Sequence, residues 1–182
     1  MSAPSGAGKT TVVDALIRSL PNLKRSVSYT TRSPRAGEKS GVDYHFITRV
    51  HFFKKRKHGF FLEWANVFGK FYGTSKKACL DLISKNQDVL LTVDVQGMRK
   101  IRKQFSREIP MLTIFLMPPS ITVLQKRLTK RKTDAPAEIK KRLRIAKAEI
   151  RARKEYDFTV VNRKVSQAVR DFKKILLKNK SS

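Results

Sequence analysis

Apolar residues recur along this chain at two spacings, and the two alternate. Val12, Val13, Leu16, Ile17 and Leu20 fall three to four apart and predict an amphipathic helix that Pro21-Asn22 ends. Residues 25–30 are rich in β-branched and aromatic types and read as a strand. A turn-rich stretch, 31–38, leads to a second strand at 41–47 and a short basic helix at 50–57. Residues 60–64 and 70–72 predict two more strands, joined through Gly69 and closed by Gly73-Thr74-Ser75. Residues 26–75 thus form a compact β-rich block.

Longer alternations follow. Residues 75–84 predict a helix with Ala78, Leu82 and Ile83 facing inward. The almost continuous apolar run 88–95 suits a parallel strand covered on both faces; Gln96-Gly97 ends it, and 98–105 predicts a short helix. A second buried strand, 111–117, stops at Pro118-Pro119, and Ser120 caps a helix through Leu124 and Leu128. Ile139, Leu143, Ala146 and Ile150 mark another helix, 157–161 a third buried strand, and Val165, Val169, Phe172 and Leu176 the closing helix before a frayed tail, 178–182. The pattern is that of an α/β protein with a parallel sheet core, an inserted β-rich lobe and a helical segment, without internal repeats.

Composition narrows the classes. At 182 residues and 40% hydrophobic, the chain can bury one domain's core. No stretch approaches the roughly twenty apolar residues of a membrane span. One cysteine, Cys79, excludes an internal disulfide framework, and three scattered histidines give no metal cluster, so the expected location is cytoplasmic. The charge is unusual: 41 Lys+Arg against 14 Asp+Glu, a formal +27. It fits either nucleic-acid binding or a nucleotide enzyme whose solvent faces carry lysine. The lysines are spread over most segments without a regular aromatic interleave, which favours the second and leaves only non-specific electrostatic contact with nucleic acid.

The candidate chemistry lies at the start. In Ser2-Ala3-Pro4-Ser5-Gly6-Ala7-Gly8-Lys9-Thr10-Thr11, residues Gly6, Gly8, Lys9 and Thr10 fit the phosphate-binding pattern G-x-x-x-x-G-K-[ST], except that Ala3 replaces its first glycine. Glycines let the backbone curl so that N–H groups face phosphates, and the helix that follows adds its positive dipole end. Lys9 would reach the β- and γ-phosphates, and the Thr10 hydroxyl can ligate Mg²⁺. Asp94, ending a buried strand, is placed to hold the same ion. Such a loop ordinarily hangs from a central strand, and only Met1 and Ser2 precede it here. The expectation is that this first core strand is missing, that the natural product starts several apolar residues upstream, and that these 182 residues alone are poorly stable and weakly active.

Seven stretches in order together resemble the guanylate kinase family: Ser5 to Thr10, Ser26 to Glu38, Gly41 to Phe46, Phe61 to Trp64, Tyr72 to Ser75, Asp94 to Gly97, and Pro118 to Ser120. The middle stretches are far more specific than the phosphate loop. The resemblance implies an ATP:GMP phosphotransferase with a core at about 1–25, 76–120 and 156–182, a GMP lobe at about 26–75 and a lid at about 121–155. ATP would lie on Ala3, Pro4, Ser5, Gly6, Ala7, Gly8, Lys9, Thr10 and Thr11, with Arg131 and Asn162. Arg32 and Arg35 resemble the clamp on the GMP phosphate, aided by the Tyr44 and Tyr72 hydroxyls. Arginine suits this because its planar fork binds phosphate in a bidentate way. Glu63 matches the carboxylate that accepts from guanine N1–H and the N2 amine; Ser28 and Thr74 complete the base pocket, with Asp94 beside them. The segment 126–154 holds thirteen Lys or Arg against three acids, and Arg131 and Arg142 match arginines that fold over the ATP phosphates. Catalysis would rest on Lys9, Arg32, Arg131, Arg142 and Asp94, with Mg²⁺ carried by Thr10 and Asp94.

Departures from the family pattern add charge or bulk. Thr92 stands where an acid is common, Lys132 replaces a glycine, Arg163 replaces an acid after Asn162, and Phe68 and Lys70 replace polar or small residues. A catalytically silent interaction module of the same family is the rival reading, and the intact Lys9 argues for the enzyme.

Overall fold

In the computed structural model, which describes residues 1–106, 108–130 and 136–179, the helix behind the glycine-rich turn is α1, Lys9–Ser19. It buries Val12, Val13 and Leu16 and ends at an extended Leu20, as a residue before proline prefers. The chain divides into two units, Met1–Leu20 with Met111–Ser182, and Pro21–Pro110.

The first unit carries α1. Its strands β7, Ile114–Met117, and β8, Phe158–Val161, pair in parallel from Ile114↔Phe158 to Met117↔Val161. Ser2 adds a single parallel bridge at Phe115: its N–H donates to the Ile114 carbonyl at 3.0 Å, and Leu116 N–H donates to its carbonyl at 2.8 Å. Strand β7 begins three residues later than its apolar run, because Thr113 is held otherwise. Asp157 Oδ2 accepts from Thr113 N–H at 2.7 Å and from its hydroxyl at 2.6 Å, and that hydroxyl accepts from Asp157 N–H at 3.0 Å. Ser120 caps α5, Ile121–Lys130, accepting from Val123 N–H at 3.1 Å as expected. Leu124 and Leu128 of α5 form a cluster with Ala146, Ile139 and Leu143 of α6, Pro136–Arg151. A 3₁₀ turn, Ala152–Glu155, leads to β8, and α7, Val165–Lys178, packs Ala168 and Phe172 inward, against α1.

In the second unit the strand expected at 25–30 divides between two sheets. Strand β1, Leu23–Arg25, pairs in parallel with β6, Asp88–Leu90. Strand β2, Tyr29–Thr30, enters a four-stranded sheet of order β3-β2-β5-β4, with β3 at His45–Phe46, β4 at Phe61–Val67 and β5 at Lys70–Ser75. Ser26 N–H still donates to the Leu90 carbonyl at 3.3 Å, while the Ser28 carbonyl already accepts from His45 N–H at 2.9 Å. The chain therefore changes partner within three residues, which side-chain periodicity does not record.

Two local features set the sheet's geometry. The β4–β5 hairpin turns on Phe68, φ 53°, and Gly69, φ 76°, the two positive angles of a type I′ turn that matches strand twist. A register shift follows, with Phe61 opposite Ser75 but Glu63 opposite Thr74, so Leu62 is the extra residue of a β-bulge. Helix α2, Arg49–Lys57, is capped by Thr48. Helix α3, Lys76–Ile83, buries Cys79 rather than Ala78 or Ile83, both exposed. Helix α4, Val95–Phe105, starts earlier than expected: Asp94 is its N-cap, Oδ1 accepting from Gly97 N–H at 2.7 Å. Among the described residues no helix is long and apolar enough to cross a membrane.

Candidate active site

The first unit holds the glycine-rich turn. Gly6 and Gly8 both sit at φ 89°, the left-handed region that L side chains avoid, and Ala7 N–H closes the curl onto the Pro4 carbonyl at 3.1 Å. Gly8 is the N-cap of α1 and supplies no capping side chain, at the helix end whose dipole favours an anion. Gly8 also admits a close neighbour: an added Cβ would lie 2.5 Å from Asn162 Nδ2. That amide is buried and donates to the Ala7 carbonyl at 2.8 Å, and Arg127 Nη1 donates to the same carbonyl at 3.3 Å. Two side chains from distant segments thus fix the loop. Arg142 Nη1 reaches Ser5 Oγ at 3.5 Å and its Nε pairs with Glu138 at 3.6 Å, both long and weak. A cavity of about 360 Å³ is lined by Gly6, Gly8, Thr11, Arg127, Asn162 and Arg163, among others.

The second unit holds a polar cluster carried by one sheet. The bulge at Leu62 sets Glu63 opposite Thr74, whose hydroxyl donates to Glu63 Oε1 at 2.7 Å, with 7% and 1% of these residues exposed. A carboxylate so buried needs partners, and one with two oxygens can accept several more donors than Thr74 supplies. Its Oε2 lies against Gly97, where an added Cβ would come within 2.8 Å. Tyr72 precedes Thr74 by two and shares its face of β5. Thr30, opposite Tyr72 in register, accepts from Arg32 N–H at 3.2 Å and anchors the loop that follows. The Arg32 guanidinium stacks 5.4 Å from the Tyr44 ring, and the rings of Tyr44 and Tyr72 meet edge-on at 5.9 Å. Burial, then the neighbouring Tyr72, pushes the Tyr44 phenol up, against the opposing pull of Arg25 and Arg32. Phenol hydroxyls beside a guanidinium are a donor set for an anion.

Comparison with known proteins fixes the family. The guanylate kinase family model matches residues 1–179. The chain belongs to the guanylate kinase family. It is 43% identical over 176 residues to the guanylate kinase of Dechloromonas aromatica, covering 97% of this chain and 86% of that protein. It is 46% identical over 171 residues to the guanylate kinase of Coxiella burnetii, covering 94% and 82%. The crystal structure of guanylate kinase from Anaplasma phagocytophilum superimposes with a TM-score of 0.78 at 34% identity, covering 98% of this chain and 82% of that one.

The fold of this guanylate kinase relative gathers most sequence candidates into the two clusters. Gly6, Gly8 and Asn162 meet in the first; Arg32, Tyr44 and Tyr72 meet in the second, and Glu63 meets Thr74. Ser28 is buried, Arg35 and Thr10 are exposed, and Asp94 is occupied on one oxygen as a helix cap. Arg131 and Lys132 lie outside the described residues. Sequence reasoning missed Arg127 and Gly97. Arg127 is one base in a basic run, and no sequence signal singles it out. Gly97 reads as a strand terminator, although its service is a close approach to Glu63.

For Mg²⁺ the donors are few. Among the described residues no group of three or more His, Cys, Asp or Glu could hold a metal. The exposed Thr10 hydroxyl of the first unit and the second oxygen of Asp94 in the second unit are each of the oxygen type Mg²⁺ takes, and an ion held by few side chains keeps water and phosphate oxygens as most of its ligands.

Proposed function

We propose that this chain transfers the γ-phosphoryl group of ATP to GMP, giving ADP and GDP. The observation that carries the reading is the buried Glu63–Thr74 pair in a family whose model spans residues 1–179. Guanine presents N1–H and the N2 amine side by side, and one carboxylate accepts both. Adenine offers no such pair of donors, so Glu63 discriminates the bases, with Ser28, Thr74 and Asp94 completing the pocket.

The remaining roles follow from chemistry. Arg32 and Arg35 clamp the acceptor phosphate, with Tyr44 and Tyr72 as hydroxyl donors. Lys9 and the backbone of 3–11 cradle the donor phosphates, and Arg127 and Asn162 hold that loop in shape. Arg142 and Arg131 neutralise charge on the transferring group, in a reaction where positioning and electrostatics do most of the work. Mg²⁺, bound with ATP at Thr10 and Asp94, would supply charge neutralisation of the phosphate oxygens. The division into core, acceptor lobe and lid belongs to the same proposal.

A panel of nucleoside monophosphates with Mg·ATP, reading ADP release, tests the reaction, and GMP is the expected best acceptor. Glu63→Gln tests the site: an amide cannot accept from both guanine donors, and the mismatch costs about 1–3 kcal/mol, roughly ten- to a hundredfold in GMP turnover. Preference for AMP, or unchanged GMP kinetics in the variant, would refute the assignment.

A further inference from the structure

Glu38 has no part in the roles above, yet it makes some of the shortest side-chain contacts of the second unit. A guanidinium carries five N–H donors in a fixed plane. In Arg32, Nη1 donates to the Ser33 carbonyl at 2.7 Å and to Glu38 Oε2 at 2.9 Å, while Nη2 donates to Glu38 Oε1 at 2.8 Å. The carboxylate therefore occupies the end-on fork of the guanidinium. The donors not used in these bonds, Nε–H and the second Nη2–H, lie together along the side edge, and the Tyr72 hydroxyl also interacts with the guanidinium. That edge is itself a bidentate fork, with the spacing of two phosphate oxygens.

Glu38 is held from its other side too. Its Oε2 accepts from Arg35 N–H at 2.7 Å, and its own N–H donates to the Arg35 carbonyl at 3.0 Å, closing a turn through Gly37 at φ 83°. The side chains of Arg32 and Glu38 are only 14% and 19% exposed. Burial disfavours both charges, but their mutual bonds outweigh it: the Arg32 pKa is raised, and the Glu38 carboxyl, helped by Arg35 N–H, is held below its ordinary range.

We propose that Glu38 is a positioning residue for the acceptor phosphate. It ties the Arg32 guanidinium and the Arg35 backbone into one unit and turns the Nε/Nη2 edge of Arg32 toward the ligand. A carboxylate that merely stood in for phosphate would occupy the edge the ligand needs and would have to leave. Glu38 takes the other fork and is anchored by Arg35, so it can remain while the phosphate binds. The inference rests on the reading of Arg32 as a phosphate ligand.

The test is calorimetric binding of GMP and of guanosine to the full chain and to Glu38→Gln, with Arg32→Lys as a second background. Guanosine keeps the base and lacks the phosphate, so it reports the fold and the base pocket alone. Glu38→Gln should weaken GMP about tenfold or more, the scale of a lost charge-assisted bond, and leave guanosine within about twofold. With Arg32→Lys already present, Glu38→Gln should add nothing. Unchanged GMP binding in a protein that still prefers GMP to guanosine would overturn the proposal and leave the function standing. Tighter GMP binding would make Glu38 a competitor, and equal weakening of both ligands would make it a structural brace; either result overturns the proposal. If the unaltered chain binds GMP no better than guanosine, the phosphate-clamp reading itself fails, and this proposal with it.

Discussion

Gly97→Ala separates recognition from stability. The added methyl would lie 2.8 Å from Glu63 Oε2, 3.1 Å from Val93 Cβ and 3.2 Å from Asp94 Oδ1. A relaxed C···O contact is about 3.3–3.6 Å, so the Glu63 carboxylate must retreat by roughly 0.5–0.8 Å. It is the far end of a flexible side chain and will yield before the backbone does. One of the guanine bonds proposed for it is then stretched or lost, which for a charged acceptor costs about 1.5–3 kcal/mol, or roughly ten- to 150-fold in GMP affinity. Folding feels opposing effects. Alanine is favoured over glycine within a helix by about 1 kcal/mol, and crowding at the Asp94 cap costs a similar amount, so the net change is near zero. The expected signature is a raised KM for GMP, an unchanged KM for ATP and a melting temperature within a few degrees of the parent. Coupled ADP release and thermal unfolding measure all three. A GMP KM within twofold of the parent would refute the placement of Glu63, and a collapse in melting temperature would show that the cap had yielded instead.

Lys9→Ala should lower kcat/KM more than a hundredfold with little change in unfolding, because a charge on the transferring phosphate is lost from a preorganised loop; near-native turnover would exclude the phosphate-loop reading. Phe68→Asn should stabilise the chain by about 1 kcal/mol, since a bulky residue at φ 53° bears strain that asparagine largely avoids. For a domain of this size that is about 2–4 °C in thermal unfolding, and no gain would show that the Phe68 ring contributes packing of equal worth. His45 stacks 4.4 Å from Tyr29, and burial, then the charge of Lys55, lowers its pKa below 6.5. Both folded and unfolded states are neutral at this residue above pH 6.5; as pH falls through that value, the unfolded chain takes up its proton first, so stability is lost on the acid side. Urea midpoints for the parent and His45→Gln between about pH 7.5 and 5.5 should diverge, the parent falling faster; parallel slopes would contradict the shift.

The helices were legible where one apolar stripe faces one neighbour. Val12, Val13 and Leu16 in α1, and Leu124 and Leu128 in α5, are buried as their spacing requires. Legibility failed where a segment changes partner. Residues 25–30 look like one strand because their composition is uniform, but Ser26 bonds toward Leu90 and Ser28 toward His45. Residues 98–105 look like the whole helix because Gly97 resembles a terminator, yet Asp94 caps the chain three residues before it. At the site, Glu63 and Thr74 were named through family resemblance, and their contact depends on the bulge at Leu62, which no apolar period reveals. Glu38 carries a sequence signal of its own, an acid three and six residues after two arginines. A carboxylate beside an anion clamp needs a fixed donor of its own.

That rule extends to the whole charge distribution. With 41 bases and 14 acids, a carboxylate in this chain is scarce, and like-charge repulsion gives every one of them electrostatic value. Value of that kind is insensitive to position, so it would scatter acids over the surface. Several of these acids instead accept directed bonds from fixed donors. Glu38 takes Arg35 N–H, Asp43 takes Lys39 N–H, Glu63 takes the Thr74 hydroxyl, Asp94 takes Gly97 N–H, and Asp157 takes both Thr113 donors. A lysine at any of these five positions would set a donor against a donor and orphan a partner, a local penalty that salt cannot screen. Basic residues meet no such constraint on solvent-facing turns of α2, such as Lys54 and Lys57, both exposed. They are useful beside the phosphate loop, where Arg127, Lys130 and Arg163 line one cavity. Positive charge there attracts anions, so the excess tolerated on the surface also favours the proposed occupant of that cavity.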